Sequence, residues 1–105
     1  MLPDIAKSAK VIEVESTQIG IQVVDIPRQL ITKLAGMIAE IFNGAGVVVS
    51  DTNIAISSTN TNANDLLRKI QDTIEGKGGG SPKAANGKLN KTVTTDELIS
   101  ILSHF

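Results

Sequence analysis

Val47-Val48-Val49 is an unbroken β-branched run, the pattern of a strand buried on both faces. Such a strand needs other elements around it, and the flanking sequence supplies candidates. Lys10 to Glu15 alternates apolar and charged side chains around Val11, Ile12 and Val14. Ile19, Ile21, Val23 and Val24 follow, after a turn-like Ser16-Thr17-Gln18. Both runs are short and β-branched, so they predict a hairpin or neighbouring strands. After the valines, Ser50-Asp51-Thr52-Asn53 reads as a turn and Ile54-Ala55-Ile56 as the next strand.

Helices are predicted by a different period. Asp25-Ile26-Pro27 reads as a helix start, with Asp25 capping and Pro27 in the first turn. From Pro27 to Phe42, residues Leu30, Ile31, Leu34, Ile38, Ile41 and Phe42 recur at helical spacing, and Asn43-Gly44 ends the run. Gly36 costs about 1 kcal/mol relative to Ala, and would let this helix pack closely on a sheet. A second helix is predicted over 63–75, capped by Asn62, with Leu66, Leu67, Ile70 and Ile74 as its stripe. Thr94-Thr95-Asp96-Glu97 has the capping-box pattern and opens a third, carrying Leu98, Ile101 and Leu102. The order β-β-α-β-β-α-loop-α predicts a small α/β (α+β) domain. Its mixed or antiparallel sheet would have about four to five strands, with helices on one face. Residues 1–9 read as a disordered or linker N-terminus, and 10–105 as one domain.

Composition removes several kinds of chemistry. There are two Phe, no Trp and no Tyr, so the core is aliphatic and base-stacking platforms have no material. No cysteine is present, which excludes disulfides, zinc–thiolate clusters and thiol catalysis. No stretch approaches the roughly 18 apolar residues of a membrane span. The start lacks a signal peptide's pattern. These features predict a soluble intracellular domain. His104, the sole histidine, stands next to the C-terminus and reads as an ordinary exposed side chain. Glu13 with Glu15 would share one face of a strand, and Asp96 with Glu97 a helix's first turn. Surface and capping roles account for both pairs. No catalytic residue, metal site or cofactor is predicted.

The remaining signal is Gly76-Lys77-Gly78-Gly79-Gly80-Ser81-Pro82-Lys83. From Gly76 to Lys91 the chain carries four lysines and no acid, and six of its ten basic residues fall between Arg68 and Lys91. A Walker loop would need Gly-Lys-Ser/Thr between a strand and a helix, and here Gly78 follows Gly-Lys after a helix. Two readings stand. The segment is a flexible tether, or a nest of backbone amides that holds an anion, flanked by Lys77, Lys83, Lys88 and Lys91.

Three stretches resemble a known family. They are Ile21-Gln22-Val23-Val24-Asp25 before a long amphipathic helix, Gly46-Val47-Val48-Val49-Ser50 followed by Asn53-Ile54-Ala55-Ile56, and Leu66 to Ile74 running into the glycines and then Ala84-Ala85-Asn86-Gly87-Lys88. From about Val11 to Leu102 the chain resembles the C-terminal (C-Ala) module of alanyl-tRNA synthetase, closest to the eukaryotic cytosolic form. That glycine-rich RNA-binding class is also appended to DHH-type phosphoesterases. Ser81-Pro82-Lys83 departs from the Arg-Pro-Asp-like bacterial version, and Ser81 from the His usual in the phosphoesterases.

The resemblance implies a non-catalytic tRNA-binding domain of a larger alanine–tRNA ligase. It would contact the tRNA elbow, supporting aminoacylation and editing. The implied contact set is Lys77, Lys83, Lys88 and Lys91, helped by Arg68 and Lys69. Gly78, Gly79 and Gly80 would permit close backbone approach. Expected partners are tRNA for alanine and the remainder of the synthetase, with no membrane, and a monomer or weak dimer in the cytoplasm; a mitochondrial site stays open. The alternatives are a protein-interaction, dimerisation or DNA-binding module, and the substrate-binding half of a DHH phosphoesterase.

Overall fold

A computed structural model describes residues 2–103. His104 lies outside the described residues. In chain order the elements are α1 (Leu2–Lys7), β1 (Lys10–Val14), β2 (Thr17–Val23), α2 (Arg28–Phe42), β3 (Ala45–Ser50), β4 (Asn53–Ser58), α3 (Ala63–Gln71), β5 (Gly76–Gly80), β6 (Ala84–Leu89) and α4 (Thr95–Ser103). They build one six-stranded sheet in the order β1-β2-β3-β4-β6-β5. Every neighbouring pair is antiparallel except β2 with β3, which α2 joins as a crossover. The mixed α/β class follows the sequence. The strand count is higher than predicted, because the expected loop after α3 is itself the β5–β6 hairpin.

The helices lie on both faces, not one. Period-two alternation in β3 sends Val47 and Val49 into a core with α3 and α4, and Val48 into a second core with α1 and α2. In β4, Ile54 and Ile56 join the first core and Ala55 the second. All six residues of β3 are buried, as the valine run requires. Of the segment 1–9 that reads as a disordered or linker N-terminus, the described part, 2–9, is folded onto the domain. Ala6 is fully buried beside α2, and the Gln22 amide donates to the Ile5 carbonyl (2.8 Å) and the Ser8 hydroxyl (3.1 Å).

Local signals mostly act where predicted. Asn43 is left-handed (φ 50°) and ends α2, whose Ala39 carbonyl accepts from Gly44 N–H. The Asn62 side chain accepts from Asp65 N–H at 3.2 Å. Thr94 and Glu97 exchange side-chain-to-backbone bonds of 3.0 and 3.1 Å, a complete capping box. Two assignments change. Pro27 occupies the cap position of α2 and no side chain caps it, Asp25 included. The β1–β2 turn is Glu15-Ser16, both at positive φ, which takes Glu15 out of the strand it would share with Glu13. Nor does Gly36 make the close helix–sheet contact, since a Cβ there would meet only Ser57 Oγ at 3.9 Å. Gly46 makes it, where a Cβ would strike the Ala35 carbonyl and Ile38. Among the described residues no helix is long and apolar enough to cross a membrane.

Candidate nucleic-acid interface

The β5–β6 ribbon forms one end of the sheet. Strand β5 is made of glycines and one lysine, with no period-two pattern of its own. Glycine is required there by geometry. Gly78 has φ +142°, and a Cβ on it would strike the Asn86 carbonyl and Gly87. The expected nest of amides is therefore an extended strand. Ser81-Pro82-Lys83, the atypical part of the segment, is the hairpin turn. Its carbonyls are used by the fold: Pro82 accepts from Ala63 N–H (2.8 Å) at the start of α3, and Lys83 from Ser58 N–H (2.9 Å).

Register brings cations together. Lys77 is directly opposite Lys88, and Lys88 is opposite Asn53 on β4. A cleft of about 320 Å³ lies between this ribbon and α2. Its α2 wall is Arg28, Ile31 and Thr32, and its sheet side includes Asn53, Ile54, Lys77, Asn86 and Lys88. Among the described residues no carboxylate lines it. Like charges facing each other across an antiparallel pair destabilise the pair. Arg28 is a third cation in the lining of the same cleft.

The predicted contact residues divide. Lys77, Gly78 and Lys88 line the cleft. Lys83 lies in the hairpin turn, and Arg68 and Lys69 are in the last turn of α3. Lys91 pairs with Glu97 at 2.9 Å. That hydrogen bond, with one from Thr94 N–H, holds the Glu97 carboxyl below its ordinary range. Sequence reasoning missed Arg28, Thr32 and Asn53. Arg28 follows Pro27 at the head of α2, and only the topology carries it to the ribbon.

A larger cleft of about 510 Å³ opens beside Asp25, Asp51 and Thr92, at the carboxyl ends of β2 and β3. Among the described residues no group of three or more His, Cys, Asp or Glu could hold a metal.

The site is thus a cleft with three cations in its lining, set between α2 and a glycine-built outer hairpin of a mixed sheet. Residues 16–105 match the DHHA1 domain, and the chain belongs to that family. No curated protein matches it by sequence. Solved structures share the fold. The C-Ala domain of Aquifex aeolicus alanyl-tRNA synthetase superposes with TM-score 0.78 at 19% identity, over 90% of this chain and 96% of that one. RecJ from Thermus thermophilus, solved with Mg2+, gives 0.75 at 17%, over 99% of this chain but 16% of its own length. An uncharacterized Helicobacter pylori protein gives 0.57 at 13%, over 90% and 27%.

Proposed function

We propose that this chain is a non-catalytic tRNA-binding module of the synthetase kind, and that it grips the nucleic-acid backbone in the α2–ribbon cleft. The observation that supports it is Lys77 facing Lys88 beside Arg28, with no acid in the cleft. Three cations converging on an open groove suit phosphates, which supply most of the affinity of such contacts. The fold shared with the C-Ala domain, over nearly its whole length, favours tRNA as the ligand and the elbow as the place of contact. A cytoplasmic setting and tethering to the rest of a synthetase follow from the same resemblance. Tethering would raise the effective affinity of a weak module.

The test is a fluorescence-anisotropy titration of tRNA at several salt concentrations. Binding weakens as salt rises, with a log–log slope of about −2 to −3 for three engaged cations. Reversing Arg28, Lys77 and Lys88 together abolishes it. Salt-insensitive binding, or full binding by the reversed variant, refutes the reading.

The fold shared with RecJ supports a second reading, the substrate-binding half of a DHH phosphoesterase. It predicts binding of short oligonucleotides and activity only beside a separate metal-binding domain. Ser81, which serves the hairpin turn by accepting from Ala84 N–H at 3.3 Å, stands where those enzymes usually have His.

A further inference from the structure

We infer that the cleft recognises the ribose 2′-hydroxyl through Asn53 and Asn86, so that its ligand is RNA in preference to DNA. The inference rests on the tRNA reading above and assigns the residues that would tell RNA from DNA.

Arg28, Lys77 and Lys88 meet phosphates, which RNA and DNA share, so they cannot discriminate. Their neighbours can. Asn53 is the direct cross-strand partner of Lys88, and Asn86 lies two residues before Lys88 on β6. Neighbouring strands are about 4.8 Å apart, and i to i+2 along a strand spans about 6.8 Å. The backbones of Asn53 and Asn86 thus lie about 5 and about 7 Å from that of Lys88, one to two nucleotide rises of about 3.4 Å along one strand. Both line the cleft. Neither side chain has a hydrogen-bond partner among the described residues. A carboxamide both donates and accepts, as does a 2′-hydroxyl.

The other route to recognition is closed. Among the described residues no aromatic lines the cleft. Phe42 packs with the α2 core, where its ring would meet any Cβ on Gly20. Bases therefore have no stacking platform here, and stacking is what sequence-tolerant binding of single strands uses. What remains is the backbone of a structured nucleic acid. There, the group that tells RNA from DNA at a given site is the 2′-hydroxyl.

The experiment titrates the full chain, by anisotropy at low salt, against three hairpins of one sequence: RNA, DNA, and 2′-O-methyl RNA. The last keeps the A-form shape but cannot donate from the 2′ oxygen. RNA should bind about three- to tenfold more tightly than either of the others, one to two hydrogen bonds' worth. Asn53→Ala with Asn86→Ala should erase that ratio. Equal wild-type affinity for RNA and 2′-O-methyl RNA overturns the ribose contact, and needs no variant to fold. An undiminished ratio in the folded double variant overturns the assignment to Asn53 and Asn86. Binding to none of the three overturns the nucleic-acid reading along with it.

Discussion

Replacing Lys77 with Glu should make the protein more stable and a worse binder. In the wild type Lys77 and Lys88 face each other in the outer ribbon. A like-charge pair opposite one another costs a few tenths of a kcal/mol, and an opposite-charge pair contributes about 0.2–1 kcal/mol. Both positions are exposed, so the attraction belongs at the low end of that range. The expected gain is about 0.5–1 kcal/mol, with Lys77→Ala giving roughly half, since it removes repulsion without adding attraction. For a domain of this size that is a rise in Tm of roughly 2–8 °C. It should shrink in about 0.5 M salt, where exposed pairs are screened. RNA affinity moves the other way. One phosphate contact is lost, the salt slope falls by about 0.7–0.9, and the new carboxylate repels the backbone. Calorimetry and anisotropy on the same samples read both effects. A lower Tm with intact RNA binding would show that Lys77 serves the fold, and would refute the account of the cleft.

Two further outcomes follow from the packing and the caps. Gly36→Ala should stabilise the protein by about 0.5–1 kcal/mol, because its Cβ in the helix interior would meet only Ser57 Oγ, at an ordinary contact distance of 3.9 Å. Gly46→Ala should destabilise it by about 1–3 kcal/mol, because α2 occupies that space. Urea unfolding checks both, and a shift of the same sign for the pair would contradict the placement of α2. Glu97 closes the α4 cap and pairs with Lys91, with its carboxyl held below the ordinary 4.5. A carboxylate with a depressed folded pKa stabilises above its unfolded value and loses that contribution as pH falls through the folded one. Wild type should therefore unfold at a higher temperature than Glu97→Gln near neutral pH, and the gap should narrow as pH falls below the ordinary 4.5 and close below the depressed folded value. A gap that persists in acid would mean that the charge plays no part.

What was legible in the sequence is what side chains write. The stripe of α2, the Asn43-Gly44 stop and the Thr94–Glu97 box each have a chemical mark, and each is found in place. Strand β5 has none. Glycine offers neither β-propensity nor alternation, so the segment reads as a loop. It is a strand because its partner's backbone fills the positions where Cβ atoms would stand. The site was half legible for a related reason. Lys77 and Lys88 advertise themselves by charge, whereas their register opposite each other and the approach of Arg28 depend on the sheet order. Charge alone also could not separate Lys91, which lies in the same acid-free segment but is paired to Glu97 outside it.

The valine run already implied the two-sided sheet that the prediction of one-sided helices denied. A strand buried on both faces needs a layer on each. Coverage then decides where a site can lie. Six strands span about 24 Å across the ladder, and a helix with its side chains is about 10 Å wide, so each face takes about two helices to cover. On one face α3 packs against β4, β5 and β6 while α4 packs against β1 and β2. On the other, α2 packs against β2, β3 and β4, and α1 is held to the β2 side by Gln22. Among the described residues no helix covers β5 and β6 on that face. The ribbon is backed by α3 and open beside α2, and the side chains on that open floor are Lys77, Lys88 and Asn86. A cationic floor is tolerable only where no layer has to cover it. The placement of α1 and the position of the cleft are thus two consequences of the same covering problem.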